Sequence, residues 1–326
     1  WIWGLRREAR ARARGRAEVP GGVHAGMSWG IVAGLLAGAL WGLVFVAPRM
    51  TPGLSSLDLA AGRFMAYGLA STLVLLALPG RRRRPTLAQM GWAVVLSVLG
   101  FTGYYWFLVL AIRDAGTEVP TLIIGTIPLW VMLLGKPAGL RWPALLPGLV
   151  LTAAGLALMM DATSQAPSMD ATGAVPDFMR GVAWAVLAMA FWTAFALLNS
   201  AWLHRHPEVS ATDWANWLGV ATGTGALLMW LALGTPASVL VRHPGFAQSA
   251  AVCVATGLGS AWLATILWNV ASQRLSASLC GQLIVSETVF ARVYSFVLDG
   301  HWPGLAQLAA AVLFTLGILF SIRAHR

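Results

Sequence analysis

Glu287 is the residue on which chemistry would turn, because it lies near the middle of SASLCGQLIVSETVFARVYSFVL, the apolar run from Ser276 to Leu298. About 23 residues rising ~1.5 Å each cross a hydrocarbon core of roughly 30 Å. A carboxylate at that depth costs roughly 2.5–3.5 kcal/mol on insertion scales, so it is expected to face protein or water and to take a proton or a cation. A hydrogen-bonded glutamate that ties helices together is the alternative. Trp41, Pro128 and Trp192 lie at about the same depth in their own runs, roughly 16–20 Å from one end, near the midplane. An indole N–H there needs a partner away from headgroups, so each Trp either packs against another helix or lines a cavity for an organic solute.

Tyr104 and Tyr105 in one run, and Trp268 and Asn269 in another, add rings with a few hydroxyl and amide groups. That mixture suits a mostly apolar pocket with polar fixing points, or equally an interfacial belt. Trp29, Trp92, Trp142, Trp214 and Trp302 are by position expected to be interfacial anchors. The expected path-lining set is Trp41, Tyr104, Tyr105, Pro128, Trp192, Trp268, Asn269 and Glu287. Arg63 is about five residues from the end of its run and is expected to reach headgroups along lipid. Arg292 is five positions after Glu287, which points the two side chains apart and disfavours an intrahelical pair. Gly30 with Gly34, and Gly257 with Ser260 or Ala261, are small-residue seams where backbones can approach.

The elements that must position these residues are long and apolar. Hydrophobic residues make up 58% of the 326, charged residues only 10%, far below the ~25% charged of soluble proteins. Apolar runs fall at 28–48, 58–79, 87–112, 117–135, 141–160, 180–200, 213–233, 248–271, 276–298 and 304–322. β-barrel strands would be half as long and would alternate. The fold class expected is an all-α integral membrane protein of ten transmembrane helices. Gly125 and Pro128 inside a run are tolerated because neighbouring helices satisfy the freed backbone groups.

Charge fixes the orientation. The net charge of +10 could suggest nucleic acid, but the arginines cluster at run ends rather than along one face, which excludes that partner. With the N-terminus inside, the cytoplasmic segments carry Arg81 to Arg84, Lys136, Arg141, Arg205, Arg274, Arg323 and Arg326, against Arg49, Arg113, Arg180 and Arg242 opposite. Both termini are therefore expected in the cytoplasm, the protein being multi-pass in the inner membrane. Residues 1–27 form a basic leader, either sequence upstream of Met27 or a cytoplasmic arm. Residues 161–179, acidic over Asp161 to Asp177, form an extracytoplasmic link, and 323–326 a cytoplasmic tail.

Residues 28–160 and 180–322 match each other in order. At an offset of 151, Gly30 meets Gly181 and Trp41 meets Trp192; at 155, Ser55 and Asp58 meet Ser210 and Asp213; at 160, Ala111 meets Ala271, and Trp142 and Pro143 meet Trp302 and Pro303. Each half holds five runs, and an odd number of crossings forces the second half to enter from the opposite face. The expectation is two inverted five-helix repeats around a central site, the arrangement that gives alternating access.

Several local patterns resemble those of EamA-type members of the drug/metabolite transporter superfamily. They are GIVAGLLAGALWGLVFVAPR in the first run, Arg63-Phe64 in the second, AIRDAGTEVPTLIIGTIPLW between the third and fourth, and ASQRLSASLCGQLIVSETVFA between the eighth and ninth. Glu287 matches the family's glutamate, although Thr288 stands where proline often follows, and Lys136 and Asp299-Gly300-His301 depart from the pattern. The resemblance implies a secondary transporter, closest to amino-acid and metabolite exporters, aromatic amino acids included. An exporter of drugs or quaternary ammonium cations is the alternative, since rings around one carboxylate attract organic cations.

A P-loop is absent, so ATP hydrolysis by the chain is not expected. His204, His206, His243 and His301 fall in connections with no metal-spaced partner, so neither an enzyme nor a metal or cofactor is expected. Cys253 and Cys280 sit in apolar runs as packing residues. The partners expected are a small-molecule substrate and the lipid bilayer, and a monomer satisfies this picture.

Overall fold

The computed structural model describes residues 20–77, 84–116, 118–164, 178–300 and 304–325. Most of the basic leader, Arg81 to Arg83, most of the acidic link, and His301, Trp302 and Pro303 lie outside the described residues.

All regular structure among the described residues is helical. The chain runs α1 (Pro20–Gly42), α2 (Ser56–Ala77), α3 (Leu87–Ser97), α4 (Gly103–Ala115), α5 (Glu118–Gly125), α6 (Ile127–Leu134), α7 (Trp142–Ser164), α8 (Phe178–Arg205), α9 (Ala211–Leu233), α10 (Ala237–Leu240), α11 (Phe246–Thr256), α12 (Ala264–Arg274), α13 (Ala277–Asp299) and α14 (Leu305–Ala324). Every apolar run of the sequence coincides with one of these helices or with a joined pair. Among the described residues seven helices, counting α3 with α4 and α11 with α12 as one each, are long and apolar enough to cross a membrane, with shorter apolar helices at Val119–Leu134 and Trp142–Leu158.

Four runs are not plain α-helix, the first because it ends in 3₁₀ turns at Leu43–Phe45 and Ala47–Met50. A π-helical turn at Val98–Thr102 joins α3 to α4, and another at Gly257–Leu263 joins α11 to α12. The run at 117–135 is two short helices parted at Thr126, with Pro128 in the first turn of α6. Proline has no N–H to give there, so the first turn is where it fits.

The helix starts carry their own signals. Ser55 and Ser210 accept the backbone N–H of Asp58 and Asp213 at 3.0 Å each, and donate to those carboxylates at 2.6 and 2.8 Å. Thr86 and Gln89 form a capping box at α3, and α13 stops at Gly300, whose φ of +66° suits glycine. Asp58 also receives Trp230 Nε1 at 3.1 Å, Thr235 N at 2.9 Å and Thr235 Oγ1 at 2.7 Å, which ties the end of α9 to the start of α2.

Packing follows a definite set of partners: α2 on α9, α7 on α14, α6 on α13, α4 on α8, α12 on α1, α13 on α1 and α5 on α8. The buried apolar residues form two large clusters, one around Phe64, Phe101, Phe195 and Trp217, the other around Ala37, Trp268, Leu279 and Leu283. Trp192 packs against both.

Candidate functional site

Glu287 sits mid-way along α13, and α13 is fixed on several sides. Against α1 the fit is backbone to backbone: a Cβ on Gly42 would come within 2.9 Å of Ala291 N and 3.2 Å of Glu287 O, and one on Gly38 would strike Ser286. Tyr294 then donates its hydroxyl to Ala39 O at 3.0 Å. Towards α7 and α14, Gln282 Nε2 donates to Thr152 Oγ1 at 2.8 Å and Ser321 Oγ donates to Gln282 Oε1 at 3.1 Å. Towards α6, Ser278 Oγ donates to Met132 O at 2.9 Å. The Glu287 side chain is left half-buried and accepts no hydrogen bond from the described residues.

Arg63, on α2, faces the same space. Its Nε is buried without a hydrogen-bond partner, and its guanidinium lies 4.7 Å over the Phe64 ring. Tyr105, Tyr104 and Glu287 are all within its electrostatic reach. Arg63 and Glu287 do not close into a contact ion pair. The sequence-based expectation that Arg63 runs along lipid to the headgroups is therefore overturned. Helix azimuth, which counting residues from a run end does not give, turns it inward, where Gly257 lets the π-turn approach Arg63 O closely enough that a Cβ would lie at 2.6 Å.

Tyr104 and Tyr105 reach this space from α4, just beyond the π-turn. Tyr105 donates to Ser56 O at 3.2 Å and meets Phe64 edge-on at 6.1 Å. From there ring contacts run without a gap. Phe64 meets Phe101 at 5.7 Å, Phe101 meets Phe195 at 5.5 Å and Phe195 meets Trp192 at 5.9 Å. Trp192 meets Trp41 at 6.2 Å and Trp268 at 6.3 Å, and Trp41 meets Trp268 at 5.2 Å. Gly100 is what seats Phe195 in this arc, since a Cβ there would fall about 2.5 Å from its ring.

Three of the expected residues, Trp41, Trp192 and Trp268, thus touch one another, and three more, Tyr104, Tyr105 and Glu287, gather around Arg63. Asn269 is placed elsewhere. It is fully buried, accepts from Asn199 Nδ2 at 3.1 Å and donates to Ala211 O at 3.4 Å. Trp214 completes that network by donating to Asn199 Oδ1 at 2.7 Å, and it stacks on Trp202 at 3.6 Å. The expectation that Trp214 is an interfacial anchor fails, because it has no exposed surface. Trp29, Trp92 and Trp142, by contrast, are exposed. Pro128 stands at the helix break beside Thr126, which accepts from Trp130 Nε1 at 3.2 Å.

Among the described residues no group of three His, Cys, Asp or Glu could hold a metal. Two shallow recesses, of about 320 and 480 Å³, flank Arg274; the first is lined by Met27, Ser276 and His325, the second by His204, Ser210 and Gln273. Neither includes an expected path-lining residue.

Sequence comparison points the same way as the geometry. Residues 28–161 match the EamA-like transporter family. The chain is 31% identical over 302 residues to the inner membrane protein YtfF of Escherichia coli (strain K12), a match that covers 87% of this chain and 91% of that protein. A solved crystal structure, described only as that of a protein, aligns with a TM-score of 0.72 at 21% identity over 92% of this chain and 99% of its own. That likeness is one of fold.

Proposed function

The chain belongs to the EamA-like transporter family, and on that premise we propose that it is a multi-pass inner-membrane secondary transporter exporting amino acids, aromatic ones included, or related small metabolites. The observation that carries this is Glu287, a half-buried carboxylate in mid-helix that accepts no hydrogen bond from the described residues and faces Arg63 and Tyr104 at one end of a continuous arc of rings. Ionisable groups at membrane depth are kept where a solute or proton uses them. Glu287 is the proton carrier of the proposed cycle, with Arg63 and Tyr104 as the groups that face it.

Ten crossings in two inverted repeats are the architecture proposed, and the packing partners support it. Counterparts in the two halves pair with each other, α2 with α9, α6 with α13 and α7 with α14. Four further contacts come in mirrored couples: α4 on α8 answers α12 on α1, and α13 on α1 answers α5 on α8. At the offset of 155 the reciprocity reaches single atoms. A Cβ on Gly68 would meet Gly219 O at 3.0 Å, and one on Gly223 would meet Phe64 O at 3.4 Å. A two-fold axis produces such swapped pairs. Rocking of one half against the other about the ring arc gives alternating access.

Export of lipophilic cations draws on the same rings and on Glu287, and Arg63 beside them opposes a ligand whose only charge is positive. Counterflow into proteoliposomes from a mixed metabolite pool, read by mass spectrometry beside a panel of lipophilic cations, separates the two. Exchange of amino acids is expected; exchange confined to the cations would replace this proposal with the second.

A further inference from the structure

Arg63 and Glu287 carry opposite charges, feel each other's field, and yet make no contact. Elsewhere in the molecule a buried carboxylate is closed by arginine: Asp114 takes Arg113 Nε at 2.8 Å and Arg180 Nε at 2.7 Å. The central pair has no such closure. Arg63 Nε is buried with no acceptor, and a buried charged donor without an acceptor is expensive unless something else supplies one. The two groups stand on different helices, α2 and α13, each held by glycine contacts at its back: Gly257 against Arg63 O, Gly42 against Glu287 O.

We propose that Arg63 and Glu287 form a clamp for zwitterions: the guanidinium takes the α-carboxylate of the solute, Glu287 takes its ammonium, and the side chain lies along the rings of Tyr105, Phe64 and the tryptophans. This deepens the amino-acid reading of the site and rests on it. The chemistry is specific. An arginine fork matches a carboxylate with parallel N–H donors, and a ligand with both charges pairs each of the two groups, whereas a cation or an anion alone leaves one of them without a counter-charge. Tyr104 is within electrostatic reach of both Glu287 and Arg63.

The test is binding rather than transport. Purified protein in lipid nanodiscs is titrated calorimetrically with L-phenylalanine, its methyl ester and its N-acetyl derivative. The free amino acid is expected to bind roughly tenfold or more tighter than either blocked form, the weight of a charge-assisted hydrogen bond. R63Q should erase the preference over the ester while keeping that over the N-acetyl form, and E287Q the reverse. R63K, which keeps the charge, should retain part of the preference, and a single monodisperse size-exclusion peak checks that each variant is folded. Equal binding of free and blocked forms to the unaltered protein, loss of both preferences together in R63Q, or no binding by any of the three probes overturns the clamp. Selective binding without counterflow would leave the clamp standing and remove the transport function.

Discussion

Gly68 on α2 and Gly223 on α9 touch backbone to backbone: a Cβ built on either would lie 2.6 Å from the other's Cα. No flexible side chain stands there to give way. Alanine at either position must push the helices apart, a cost of about 1–3 kcal/mol. G68A and G223A are expected to lower the thermal midpoint in detergent by similar amounts. Gly91 in α3 is the control, since a Cβ there meets nothing within 4 Å, and G91A should be neutral or raise stability by up to ~1 kcal/mol.

Asp58 is the most heavily used carboxylate among the described residues, accepting from Ser55, Trp230 and Thr235. D58A leaves the Thr235 N–H and the Trp230 indole without their acceptor. A loss on the order of 3 kcal/mol is expected, seen as a lower thermal midpoint and faster proteolysis between α9 and α11. D58N, which keeps an acceptor oxygen, should recover about half.

Trp192 joins the two apolar clusters and touches Trp41, Phe195 and Trp268. W192L removes three ring contacts worth about 0.5–1.5 kcal/mol each. Affinity for an aromatic amino acid should fall roughly tenfold, with a smaller change for an aliphatic one. An equal fall for both would mean that Trp192 acts only through packing.

Glu287 is the proposed proton carrier, so E287Q should depress counterflow and flatten its dependence on pH. Proteoliposome transport measured from pH 6 to 8 checks this. An unchanged pH profile in E287Q would remove Glu287 from coupling.

His325 offers a pH effect outside the membrane-spanning segments. Its Nδ1 donates to Ser321 O at 2.7 Å, and burial pushes the imidazole below its ordinary value. A lowered value means the neutral ring is the one that stabilises the fold. That contribution is complete above pH ~6.5 and is lost as pH falls through the folded-state value. The thermal midpoint should therefore drop on acidification, and H325Q, which keeps a donor without a titration, should lose this part of the drop.

Much of this architecture was legible in the sequence, for particular reasons. Length and hydropathy located the apolar helices, because a bilayer forces the backbone to bond within each segment. Counting from the run ends put Trp41 and Trp192 at one depth, and they do meet. Depth is only one coordinate, however. Nothing in the run of Arg63 reports which way α2 is rotated, and the groups it faces come from α4 and α13. Position alone puts Trp214 at the interface, whereas Asn199, fifteen residues earlier and polar within an apolar run, is the sign in the sequence that an indole is needed inside. The run at 117–135 reads as one span that tolerates Pro128, and the break at Thr126 departs from that reading. The two π-turns are equally silent, since VLGFT and GLGSAWL read as ordinary apolar helix.

Those wide turns set the angular phase of everything beyond them. An extra residue accommodated at Val98–Thr102 swings α4 by about 100° relative to α3, and the same holds for α12 after Gly257–Leu263. Shortening either loop of backbone by one residue would leave the hydropathy of the run untouched. It would turn Tyr104 and Tyr105, or Trp268, out of register with the rings they now face.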